Sequence, residues 1–186
     1  MELFYFKFFL QINKLTMLSS KGITTQDDLQ TFLRSCPKCK NITNNGTYIV
    51  SHEQLPCINL DTTLKKHGII INSESDSTLG HWITLLIFDN KYLVICDGLC
   101  TVNHRKDIMR NIRLFCTLNH LILKNLKLLC QTKHSLKCGY IALFFIGKGS
   151  ILTYHSFLAM TTLLKPYSIR TREKFILSFV MHHFKV

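Results

Sequence analysis

The sequence predicts an α+β domain, a central mixed or antiparallel β-sheet flanked by helices. Three stretches carry this reading. Trp82–Phe88 and Tyr92–Cys96 are apolar runs rich in β-formers, joined by the turn pair Asp89-Asn90. Together they read as an antiparallel hairpin inside a sheet. Residues 138–147 are continuously apolar and read as a buried helix. Ile108, Ile112, Phe115, Leu118 and Ile122 recur at helical spacing within residues 105–129, with a break into a strand expected near 126–130.

The remaining elements follow in order. Thr25 precedes Asp27, Asp28, Leu29, Phe32 and Leu33, a short capped helix with acids in its first turn that runs into Cys36 and Pro37. Asn44-Asn45-Gly46 is a turn. Residues 47–50 and 68–72 are strands, the second ended by a polar loop over 73–80. Residues 151–164 and 173–183 read as two further helices.

With 186 residues and 21.6 kDa the chain has the size of one ordinary domain. An apolar fraction of 47% and a charged fraction of 18% exclude a disordered protein. The fold is expected over 17–186. Residues 1–12 are apolar but make a poor signal peptide: Glu2 sits where positive charge belongs, Lys7 interrupts the run, and no small-residue cleavage site follows. Met17 is therefore read as the working start, and 1–16 as an N-terminal extension or arm outside the fold. The longest stretch free of Asp, Glu, Lys and Arg, 149–164, is 16 residues long, short of the ~20 apolar residues a membrane span needs.

Charge is distributed unevenly. Residues 1–107 carry eleven bases and ten acids; residues 108–186 carry twelve bases and a single acid, Glu173. A basic body of this kind attracts polyanions, with nucleic acid the first partner to consider and an anionic membrane the second. Its basic surface candidates are Arg110, Arg113, Lys124, Lys127, Arg170 and Arg172. Eight Cys without a secretory signal imply free thiols in a reducing compartment. Cys36 and Cys39 form the one close pair, with no second pair at zinc-finger spacing, so no metal is expected and a turn is the preferred reading.

The hairpin brings chemistry together. His81 lies just before its first strand and Asp97 just after its second, so the two come roughly opposite each other. Directly paired side chains have Cβ atoms about 5 Å apart. A carboxylate there can hold one imidazole tautomer and stabilise the imidazolium. Cys138-Gly139 opens the apolar helix, whose N-terminus stabilises a thiolate, as does a neighbouring imidazolium. Seven residues upstream, Gln131 could donate to the oxyanion of a tetrahedral intermediate beside the Cys138 amide. Any one of these residues alone is weak: the chain has nine His and eight Cys. Their order and structural contexts make the case.

The ordered set Gly80-His81-Trp82, Cys96-Asp97-Gly98 and Gln131 followed by Cys138-Gly139 resembles the adenovirus-type endopeptidases (adenains), including relatives encoded by Maverick/Polinton transposons and adintovirus-like elements. More distantly it is similar to the proteases that remove ubiquitin-like modifiers. The similarity extends over roughly 25–160, taking in Asp28 to Leu33, Gly46 to Val50, Gln54-Leu55-Pro56 and Ile70 to Ser73. It implies the fold of those cysteine proteases. Carried over residue by residue, Cys138 is the nucleophile, His81 the general base and imidazolium partner, Asp97 the residue that orients His81, and Gln131 an oxyanion donor. The adenoviral enzymes more often carry Glu at the Asp97 position. Trp82 would line a cleft that narrows around the scissile bond, favouring small residues, especially Gly; simple core packing is compatible with that role. Gly98-Leu99-Cys100 departs from the family's usual Ser/Pro-aromatic-Gly.

The resemblance implies a viral or transposon-encoded thiol protease that cleaves capsid and core precursors during virion maturation, in the virion and the host nucleus or cytoplasm, not secreted. No cofactor is needed for the chemistry. DNA is the expected stimulator, and a short viral peptide a further activator, with Cys100 and Cys116 as candidate attachment points. Two rivals remain: a protease removing ubiquitin-like modifiers, and a catalytically inactive basic DNA-binding virion protein.

Overall fold

The hairpin is the centre of a five-stranded sheet of order β1-β2-β3-β4-β5. The strands are β1 Thr47–Ser51, β2 Lys66–Asn72, β3 Trp82–Phe88, β4 Tyr92–Cys96 and β5 Ile122–Leu126. The computed structural model describes residues 25–35, 47–74, 80–133 and 135–183. β2, β3 and β4 pair antiparallel, while β1 on β2 and β5 on β4 are parallel, so the sheet is mixed, as expected. The turn residues Asp89 and Asn90 both adopt positive φ, 55° and 49°, the backbone that matches the twist of a tight hairpin.

Among the described residues five α-helices accompany the sheet: α1 Gln26–Ser35, α2 Lys106–Leu118, α3 Cys138–Ile151, α4 Tyr154–Leu164 and α5 Ile169–His183. β3 is buried along its whole length because both its faces are covered. Trp82, Leu86 and Phe88 join the core formed with α1, α3, α4 and α5, and Ile83, Leu85 and Ile87 join the core formed with α2. Successive strand residues point to opposite faces, which divides one apolar run between two cores. Each fully buried Leu or Ile contributes about 1.5–3 kcal/mol.

α1 starts with reciprocal capping: Thr25 Oγ1 accepts from the Asp28 amide at 3.1 Å and Asp28 Oδ2 accepts from the Thr25 amide at 3.3 Å. α3 packs close to the sheet at Gly149, where an added Cβ would lie 2.7 Å from Leu86 Cδ2. α4 begins three residues later than expected, with Thr153 as its cap, and α5 four residues earlier.

One boundary needs correction. The helical spacing that included Ile122 stops sooner: α2 ends at Leu118 and His120 takes a positive φ of 54°. Ile122 instead opens β5, paired in parallel with Tyr92, so the strand lies at 122–126 and not 126–130. The proposed extension 1–16, Cys36, Cys39 and the turn at 44–46 lie outside the described residues. Among the described residues no helix is long and apolar enough to cross a membrane.

Candidate active site

His81 is fixed through its backbone before its side chain is considered. Its amide donates to Ser73 Oγ at 2.8 Å, and its carbonyl accepts from the Ser73 amide at 2.9 Å. These bonds tie the start of β3 to the end of β2. Beside them Gly80 leaves room for Asn72: a Cβ at residue 80 would sit 1.5 Å from Asn72 Oδ1, which itself accepts from the Glu74 amide at 3.0 Å. Arg105 reinforces the same corner, with bonds to the Ser73 carbonyl and to the carboxylates of Glu74 and Asp107.

Asp97 is buried and acts as an acceptor on four sides. Oδ1 lies 2.7 Å from His81 Nε2 and accepts from the Leu99 amide at 2.9 Å. Oδ2 accepts from the Val102 amide at 2.8 Å and from Thr101 Oγ1 at 3.2 Å. Burial pushes its pKa up, but the His81 bond and charge and the Val102 and Leu99 amides outweigh it, leaving the carboxyl below its ordinary value. The β3–β4 register pairs Thr84 with Cys96. Continued outward, it would place Asp97 across from Ile83, so Asp97 reaches His81 along a diagonal of the hairpin rather than straight across.

Cys138, the first residue of α3, joins this pair. α3 has no side-chain cap, so its first amides are free to face the sulfur. Burial opposes the thiolate. The hydrogen bond and charge of His81 and the backbone amides of Trp82 and Gly139 favour it more strongly, and the thiol is held below its ordinary value. Burial likewise opposes the imidazolium, but bonds to Asp97 and Cys138 outweigh it and raise His81 to about 9. With Nε2 on Asp97, Nδ1 is the ring nitrogen left for the sulfur. The other cysteines differ: burial raises Cys96, Cys100, Cys116 and Cys130, to about 11 for Cys116 and about 12 for Cys130. Cys138 therefore carries the most available thiolate of the described cysteines with a resolved shift.

No protein-family model matches this chain, and no curated protein matches it.

Gln131 lies one residue beyond the acid in space. Its amide N–H donates to the Gly98 carbonyl at 3.1 Å, and its Oε1 lies 3.4 Å from where a Cβ on Gly98 would be. Its Nε2 donates to the Ser135 carbonyl at 2.6 Å, which occupies one of its two N–H donors. Oε1 is buried with no partner among the described residues. Trp82 is 4% exposed and packs in the core with α3, so its ring is a core element first, while its backbone amide bonds to the sulfur.

Cys116 is buried in the α2 core, which removes it as an accessible attachment point, while Cys100 is partly exposed at the site's edge with its Sγ 3.6 Å from the Asp97 carbonyl. Arg110, Arg113, Lys124, Lys127 and Arg170 are exposed. Arg172 is not a free surface base, which corrects its place in that set. Its guanidinium is spent on the carbonyls of Leu129, Leu164 and Lys165. Among the described residues no group of His, Cys, Asp and Glu is arranged to hold a metal ion.

Sequence reasoning missed the supports: Ser73, Asn72, Thr101, Val102 and the Trp82 amide. The Val102 and Trp82 amides have no signature in side-chain identity, and the short polar side chains of Ser73, Asn72 and Thr101 are common in loops and strand ends. Gly80 was the one available signal, since a Gly immediately before a site His reports a crowded backbone.

Proposed function

We propose that this protein is a cysteine endopeptidase of the adenovirus type that cleaves capsid or core precursor proteins at Gly-containing sites and is stimulated by DNA. The observation that carries the reading is the convergence of His81 and Asp97, at the open end of the hairpin, with Cys138 at the start of α3, the thiol held below its ordinary value and the imidazole raised to about 9. Such an arrangement has a specific use. The Cys138 thiolate attacks the substrate carbonyl carbon and forms a C–S bond. The oxyanion is received by the Cys138 amide and by the second N–H of Gln131. His81 gives its proton to the leaving amine as the C–N bond breaks. It then takes a proton from water, whose oxygen attacks the thioester and releases the acid and Cys138. Asp97 holds the imidazole in the orientation and tautomer that this cycle needs.

DNA stimulation rests on charge. The stretch 108–186 holds twelve bases against one acid, and Arg110, Arg113, Lys124, Lys127 and Arg170 are exposed.

The test is cleavage of capsid precursors from the same genome by the wild-type chain and by Cys138→Ser, with and without double-stranded DNA. Cleavage by the wild type alone, accelerated by DNA, supports the reading. Cleavage retained in Cys138→Ser, or release of a ubiquitin-like modifier with no action on a precursor, overturns it.

A further inference from the structure

Glu173 is the single acid among residues 108–186, and it is buried. A buried carboxylate needs partners, and this one accepts from Ser135 Oγ at 2.5 Å. Ser135 belongs to the loop between Gln131 and Cys138. Its carbonyl receives the Gln131 side-chain amide at 2.6 Å, and its amide closes a turn onto the Thr132 carbonyl at 2.9 Å. The loop's other end hangs on the Gly98 carbonyl, which accepts from the amides of Cys130 and Gln131 at 3.0 and 3.1 Å. The neighbour of Glu173 on α5, Arg172, binds the Leu129 carbonyl just upstream.

We infer that Glu173 is a positioning residue: through Ser135 it fixes the orientation of the Gln131 amide and so sets the oxyanion donor of the Cys138 site. This rests on the cysteine-protease reading and deepens it. A primary amide has two N–H donors. Anchoring one to the Ser135 carbonyl directs the other, and that carbonyl is itself held in place by the Ser135–Glu173 bond. α5 is thereby part of the catalytic scaffold, although it supplies no group that touches the substrate. A donor fixed before the reaction stabilises the transition state without reorganising, so loosening it should slow acyl transfer and leave ground-state binding unaffected.

Two reactions of Cys138 separate this from general damage to the site. Acetylation by p-nitrophenyl acetate forms a C–S bond, breaks the ester C–O bond and expels p-nitrophenolate by way of an oxyanion. Alkylation by iodoacetamide displaces iodide at carbon and forms no oxyanion. Mass spectrometry reads both at Cys138 in the full chain. In Glu173→Ala the acetylation rate should fall at least tenfold while alkylation stays within twofold of wild type. Glu173→Gln, whose Oε1 can still accept from Ser135 Oγ, should recover most of the loss. Acetylation unchanged in Glu173→Ala, both rates falling together in both variants, or no recovery in Glu173→Gln would overturn the inference. Wild-type Cys138 reacting no faster than the other cysteines in either reaction would instead remove the protease reading on which it stands.

Discussion

Asp97 Oδ1 lies 2.7 Å from His81 Nε2, and the same oxygen also accepts from the Leu99 amide at 2.9 Å. The acid is thus held by backbone on one side and holds the imidazole on the other. Asp97→Asn keeps the volume but loses the charge and can present an N–H to groups that need an acceptor. Turnover should fall roughly 10²-fold or more, since orientation and imidazolium stabilisation are both lost. Unsatisfied Val102 or Leu99 amides would also cost about 1–3 kcal/mol of stability. Peptide hydrolysis and thermal melting measure the two effects separately; near-normal turnover would mean another acid serves His81.

The sulfur–imidazole pair makes a statement about pH. Cys138 is held below its ordinary value of 9.0 and His81 is raised to about 9. Alkylation of Cys138 should approach its plateau at lower pH than alkylation of an ordinary thiol, which gains reactivity up to about pH 9. Turnover should fall on the alkaline side near pH 9 as the imidazolium loses the proton it must deliver. The stability linkage has the same sign. His81's folded pKa is raised, so its contribution is complete below the ordinary 6.5 and lost as pH rises through about 9. For Asp97, whose folded pKa is depressed, the contribution is complete above 3.8 and lost as pH falls through the folded value. In Asp97→Asn the alkaline limb should move to lower pH. A Cys138 alkylation profile that coincides with that of a free thiol would contradict the lowered pKa.

Gly80 supports His81 through the absence of a side chain. A Cβ there would come 1.5 Å from Asn72 Oδ1, and Asn72 is buried. Gly80→Ala must therefore displace Asn72 and its bond to the Glu74 amide, at a cost of about 1–3 kcal/mol. Because the Ser73–His81 pair lies beside this contact, Cys138 alkylation should slow along with the loss of stability. A variant that melts and alkylates like the wild type would show that the corner tolerates the methyl group.

The strands at 82–88 and 92–96 could be read from the sequence because β-formers, a turn pair and burial all agree there. The apolar run from Cys138 was equally clear as a helix. Ile122 misled because one apolar residue fits a helical and a strand period alike, and the left-handed His120 that ends the helical path carries no strong sequence signal. His81 and Asp97 were legible as neighbours because the hairpin's geometry follows from its turn, and Cys138 as the residue that opens the apolar helix. The engagement of Gln131 by Ser135, and of Arg172 by three carbonyls, depends on where backbone oxygens fall in space, which side-chain identity does not encode.

Arg172 and the exposed bases should respond differently to substitution. Arg170 is exposed, while Arg172 donates to carbonyls at the end of α4 and at Leu129. Arg172→Ala would strand these acceptors and should cost about 1–3 kcal/mol, with little change in how DNA affinity varies with salt. Charge removal at Arg110, Arg113, Lys124, Lys127 or Arg170 should leave melting nearly unchanged. If such a residue contacts a phosphate, its loss should lower the slope of log affinity against log salt by about 0.9. Titration of labelled double-stranded DNA at several salt concentrations, alongside thermal melts, measures both quantities for each variant. A salt slope lowered by Arg172→Ala with stability unchanged would return that residue to the DNA-facing set, and a slope unaffected by all five exposed substitutions would remove DNA as a partner of this surface.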